Sequence, residues 1–143
     1  MIGIITALVS GALMSIQGVF NTGVTKQSSL WVSTGWVQFT ALLVSAIIWF
    51  LTGRASVGAL MQVEPKYILL GGVIGTFITV TVIQSVNSLG PAQSALLIVI
   101  SQVAVAYLIE IFGLFGMEKQ PFLWRKVIGM LIAVGGLVLF RWE

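Results

Sequence analysis

Residues 96–116 read "LLIVISQVAVAYLIEIFGLFG", an apolar run with Ser101 and Gln102 in its middle and Glu110 near its end. A helix needs about 20 apolar residues to cross about 30 Å of hydrocarbon, and the run is long enough. In lipid an unpaired amide costs roughly 2–7 kcal/mol, so Gln102 must face protein or water if the run spans a membrane. The composition of the whole chain supplies the solvent. The chain is 58% hydrophobic and 8% charged, with mean hydropathy +1.09. Soluble domains carry about 25% charged residues. A chain with so little polar surface is solvated by lipid over most of its length.

The same composition excludes several functions. The formal charge of +3 arises from seven basic and four acidic residues, too sparse for a nucleic-acid footprint and better read as a topology signal. There is no His and no Cys, which removes His ligands, His proton relays, disulfides and thiol chemistry. No nucleophile–base pair, phosphate loop, metal cluster or intramembrane carboxylate pair is present, and no cofactor is implied. These absences argue against an enzyme.

Working outward from 96–116, five stretches reach span length: roughly 2–24, 31–52, 67–87, 91–112 and 123–141. The first begins apolar at once, "MIGIITALVSGALM", without the basic lead of a secretory signal, and is read as a retained membrane helix. Lys26-Gln27-Ser28-Ser29 separates the first two spans, and 52–65 the next two. "NSLGP" (87–91) reads as a tight hairpin with Pro91 in the first turn of the next helix. "GLFGMEKQP" (113–121) precedes the last. The expectation is an all-α membrane protein with one five-helix domain. Trp31, Trp49, Tyr67, Trp124 and Trp142 fall near span ends, as interfacial anchors do, while Trp36 and Tyr107 lie deeper. Arg54, Lys66, Lys119, Arg125 and Lys126 share one side against Lys26 and Arg141 on the other. That five-to-two bias favours a cytoplasmic N-terminus, and is small enough to admit a mixed orientation.

Polar residues inside the spans supply the candidate site. Ser10, Met14, Gln17 and Asn21 follow spacings of four, three and four, one face of a helix. Such a face lines a solvated cavity or hydrogen-bonds a neighbouring helix beside close glycine contacts. Gln102 has the same two readings, with Ala95 and Ala106 keeping its face slim and Ser94 and Ser101 on a stripe of their own. Gln38 and Trp36 in the second span, and Gln84 and Ser85 in the third, are further cavity candidates. Glu110 is the acidic residue predicted within a span. It is either a coupling or gating carboxylate or one half of an interfacial ion pair with Lys119, Arg125 or Lys126. Gly71 and Gly75 form a small-xxx-small step. Gly129 and Gly136 form a heptad step in a span with no polar residue between Lys126 and Arg141, which marks that helix as a candidate interface.

These stretches carry a resemblance. "GALMSIQGVFNTGV" (11–24), "SLGPAQSALLIVISQ" (88–102) and "EIFGLFGMEKQPFLWRKVIGMLIAVGGLVLF" (110–140) resemble the drug/metabolite transporter superfamily, and in particular its five-helix, half-size DUF606-type family. The shared motifs are Gln17-Gly18-x-x-Asn21, Gln102, and the acidic-x-Phe-Gly-x-x-Gly run from Glu110 to Gly116. The resemblance implies a bacterial inner-membrane transporter. Full-length relatives have ten helices in two inverted halves, so a five-helix chain is expected to pair in antiparallel with a second copy or an oppositely oriented paralogue. Gly129 and Gly136 are similar to the dimerisation glycines of the smaller four-helix relatives. Those relatives carry a helix 1 glutamate where this chain offers Gln17 and Asn21, so proton-coupled cation export is not carried over.

The reading is therefore a secondary transporter of a small polar or amphiphilic metabolite or drug-like compound. Its site is expected at the dimer midplane, lined by Gln17, Asn21, Trp36, Gln38, Ser101 and Gln102. The alternatives are a passive dual-topology channel and a non-transporting membrane scaffold.

Overall fold

The computed structural model describes residues 1–141. Trp142, expected among the interfacial anchors, lies outside the described residues. Five α-helices follow one another: α1 (Ile2–Gln27), α2 (Leu30–Leu51), α3 (Gly71–Leu89), α4 (Pro91–Phe112) and α5 (Trp124–Arg141). Among the described residues there is no strand. Short 3-10 turns occupy Val57–Gln62, Lys66–Leu70 and Leu114–Gly116.

Among the described residues, four helical segments are long and apolar enough to cross a membrane: α1, α2, the stretch Lys66–Leu89 that includes α3, and α4. Their side chains support a lipid environment, because large apolar residues such as Leu8, Leu42 and Leu51 are three-fifths or more exposed. The fifth expected span is a helix of 18 residues that carries Arg125 and Lys126 in its first turn and Arg141 at its end. It is apolar between these ends.

The boundaries follow local chemistry. Lys26 and Gln27 are good helix formers and extend α1 beyond the expected end, leaving Ser28 and Ser29 as the break. Ser29 caps α2, its hydroxyl accepting from the Val32 N–H at 3.3 Å. Gly90 at φ +80° is the one residue between α3 and α4, and Pro91 opens α4 as expected. Gly113, at φ +62°, closes α4 as a left-handed cap.

The chain forms two compact units, Met1–Ser88 and Leu89–Glu143. In the first, α1 packs on α2 where the buried Ser33 hydroxyl donates to the Asn21 carbonyl at 3.0 Å. Helix α3 meets α1 at Gly18, where an added Cβ would sit 3.4 Å from Val82 and 3.5 Å from Val86. It meets α2 through a hydrogen bond from Gln38 Nε2 to Thr76 Oγ1 at 3.1 Å. Asn21, Thr22, Ser33 and Thr34 are buried, as are Val80 and Ile83 of α3. Small and polar contacts of this kind hold helices together where lipid removes the hydrophobic drive between them. Many hydroxyls instead bond to their own helix: Thr6, Ser10, Ser15, Thr22, Thr34 and Thr79 each donate to a carbonyl one turn back.

In the second unit α4 packs on α5. The buried Tyr107 hydroxyl donates to the Leu123 carbonyl at 3.0 Å and accepts from the Leu123 N–H at 2.6 Å. The Gln120 N–H returns to the Glu110 carbonyl at 2.8 Å. Phe122 lies against both Tyr107 and Trp124.

Candidate functional site

In the first unit, α1 and α2 line a groove of about 880 Å³. Helix α1 contributes Ser10, Leu13, Met14, Ile16, Gln17, Phe20, Asn21 and Val24. Helix α2 contributes Trp36, Val37, Thr40, Ala41, Val44 and Ser45. The polar face expected of α1 is therefore the face that lines this groove, since residues three and four apart stack along one side of a helix. The Ser10 and Thr40 hydroxyls are occupied by carbonyls one turn back, Thr6 and Trp36 respectively. Among the described residues, the side-chain amides of Gln17 and Asn21 and the Ser45 hydroxyl have no hydrogen-bond partner. Each amide offers one acceptor and two donors to whatever fills the groove. Trp36, 58% exposed, adds a flat apolar wall and touches Phe39 ring to ring at 6.0 Å. The lining holds no ionisable side chain.

Three of the expected site residues, Gln17, Asn21 and Trp36, thus meet in one place. Gln38 does not join them. It lies two residues from Trp36, about 200° round the helix, and its amide is directed to Thr76 on α3. Ser101 and Gln102 belong to the second unit and are exposed at the centre of α4. Gln102 has no hydrogen-bond partner among the described residues. Thr40 and Ser45 were not anticipated as site residues, although Trp36, Thr40 and Val44 repeat at intervals of four and so mark a single face of α2.

The second unit has a separate cleft of about 410 Å³ between α4 and α5, lined by Val99, Val103, Ala106, Tyr107, Gly129 and Met130 among others. Its charged end is the Glu110–Lys126 ion pair at 2.7 Å, with the ammonium 5.1 Å from the Tyr107 ring centre. Both side chains are more than a third exposed. Here polar chemistry is already paired within the protein, whereas the α1–α2 groove presents unpaired amides. The groove is accordingly the candidate site. At Gly129 and Gly136 an added Cβ would meet nothing within 4 Å, so both glycines present open backbone.

No group of three or more His, Cys, Asp or Glu side chains that could hold a metal occurs among the described residues. The α1–α2 groove offers hydrogen bonding by its amides and stacking by Trp36.

Residues 2–139 match the model of a family described as "Putative inner membrane exporter, YdcZ", within the drug/metabolite transporter group. No curated protein and no solved structure matches the chain. The family is one of exporters and not of enzymes, and its setting is the bacterial inner membrane, crossed several times. With a match over nearly its whole length and helices built for lipid, the chain belongs to the YdcZ family of inner-membrane exporters.

Proposed function

We propose that the protein is a secondary exporter of a small polar or amphiphilic compound, working by alternating access as an antiparallel pair of five-span protomers. The observation that carries this reading is the α1–α2 groove, where the unpaired amides of Gln17 and Asn21 face the same space as Trp36. A membrane protein keeps unsatisfied amides at depth only against protein, water or a permeant.

Three features support the paired arrangement. Gln102 is exposed at the middle of α4 without a partner among the described residues, an amide that a second chain would satisfy. Gly129 and Gly136 leave α5 open to close approach by another helix. The apolar centre of α5 suits a fifth span whose basic ends sit at the headgroups. In this arrangement Gln17, Asn21 and Trp36, with Ser101 and Gln102, converge by two-fold symmetry near the midplane. Gln38 braces α2 against α3 through Thr76, and the Glu110–Lys126 pair lies in the separate cleft of the second unit.

Counterflow tests the reading. Proteoliposomes preloaded with an unlabelled metabolite should transiently accumulate its labelled form for at least one member of a metabolite panel, and Gln17→Leu should abolish the accumulation. Steady single-channel current without counterflow would identify a pore instead.

A further inference from the structure

We infer that the α1–α2 groove selects solutes without net or local charge, pairing a flat apolar or heteroaromatic face with hydroxyl or amide groups. This rests on the groove being the transport site, and goes beyond it by naming the class of substrate.

The argument is electrostatic. A solute entering the groove exchanges water for the protein atoms that line it. Those atoms are apolar walls, the ring of Trp36, two amides and a few hydroxyls, with no carboxylate, ammonium or guanidinium. The charged side chains of the same unit lie elsewhere. Lys26 is in the last turn of α1. Arg54 sits over the Phe50 ring at 3.9 Å. Glu64 and Lys66 pair with each other at 3.1 Å in the loop before α3. An ion in the groove would therefore lose hydration without gaining a counter-charge, the costly case of an unpaired buried charge. The face of Trp36 attracts a cation, but such contacts return less than the hydration that a desolvated ammonium gives up. An anion gains nothing from the ring, whose face is negative. An uncharged solute avoids both losses. Gln17 and Asn21 each present a donor and an acceptor, the complement of an amide or heteroaromatic edge, and Trp36 offers a plane for stacking.

Matched triplets test this by thermal shift and calorimetric titration of the detergent-solubilised full chain. One triplet is adenosine, its 5′-amino-5′-deoxy cation and its 5′-monophosphate. A second is 2-phenylethanol, 2-phenylethylammonium and phenylacetate. The neutral member should bind at least about tenfold more tightly than either ion in each triplet that binds, and Gln17→Leu should weaken it. Gln17→Glu, measured at pH 8 on protein shown to be folded by size-exclusion chromatography, should reverse the order in favour of the cation. Equal or tighter binding of an ion to the unaltered protein, sensitive to Gln17→Leu, overturns the inference and leaves the transport site in place. An unchanged order in Gln17→Glu also overturns it. Absence of any Gln17-dependent binding in both triplets overturns the inference together with the assignment of the groove as the site.

Discussion

The Tyr107 hydroxyl both accepts from and donates to Leu123, so Tyr107→Phe strips a partner from a backbone N–H and a backbone carbonyl at once. The phenyl ring keeps its volume, so no cavity contributes. The loss should be about 1–3 kcal/mol, the net worth of two intramolecular hydrogen bonds. Glu110→Gln removes a more conspicuous ion pair, yet both partners are more than a third exposed and an exposed pair is worth about 0–1 kcal/mol. Chemical unfolding of the two variants in micelles should therefore rank Tyr107→Phe as the more damaging, and the opposite ranking would contradict the account. Sequence made part of this legible. A carboxylate near the end of a span needs a basic partner, and Lys119, Arg125 and Lys126 were the choices; the turn through Gly113 and the Gln120–Glu110 backbone bond settle it on Lys126. The phenol's role was not legible, because it depends on where Leu123 returns. On α2, by contrast, the separation of Trp36 and Gln38 onto different faces is written in their spacing of two, half a turn of helix.

At the scale of the helix, two glycines separate packing from backbone geometry. Gly18 lies in α1 where an added Cβ meets Val82 and Val86 at ordinary contact distance, so Gly18→Ala should be neutral or stabilising by up to about 1 kcal/mol through helix propensity. Gly113 is left-handed, and a Cβ there would sit 3.2 Å from the Met117 carbonyl oxygen and 3.3 Å from Lys119 Cβ. Gly113→Ala should cost about 1–2 kcal/mol from the backbone alone, and melting temperatures of the two variants in one detergent compare them directly. Element boundaries were legible wherever a turn residue stood at the junction: α4 occupies the expected 91–112 because Pro91 and Gly113 bracket it. They were less so where nothing local breaks the helix, as at Lys26-Gln27, or where the first turn before α3 tightens to 3-10 geometry at Lys66–Leu70. Hydropathy does not distinguish that turn from the α-helix it precedes.

For the molecule as a whole, orientation is the property that the proposed pairing depends on. The chain has no cysteine, so a single introduced thiol reports unambiguously. Ser28→Cys, in the short break between α1 and α2, should be labelled by a membrane-impermeant maleimide from both faces of the membrane if the pair is made of inverted copies. Labelling from one face alone would rule out pairing between inverted copies of this chain. The five-to-two basic bias is weak enough for the first outcome, since orientation is set by small differences in Lys and Arg near the span ends. A second consequence concerns motion. Because hydroxyls such as those of Thr6, Ser15, Thr22 and Thr79 are held by the carbonyl one turn back, they carry their satisfaction with them when their helix moves. A rigid cylinder of this kind can rock or slip along its neighbour without rupturing a bond at each step, so that friction between spans is concentrated at a few cross-links such as Ser33–Asn21 and Gln38–Thr76.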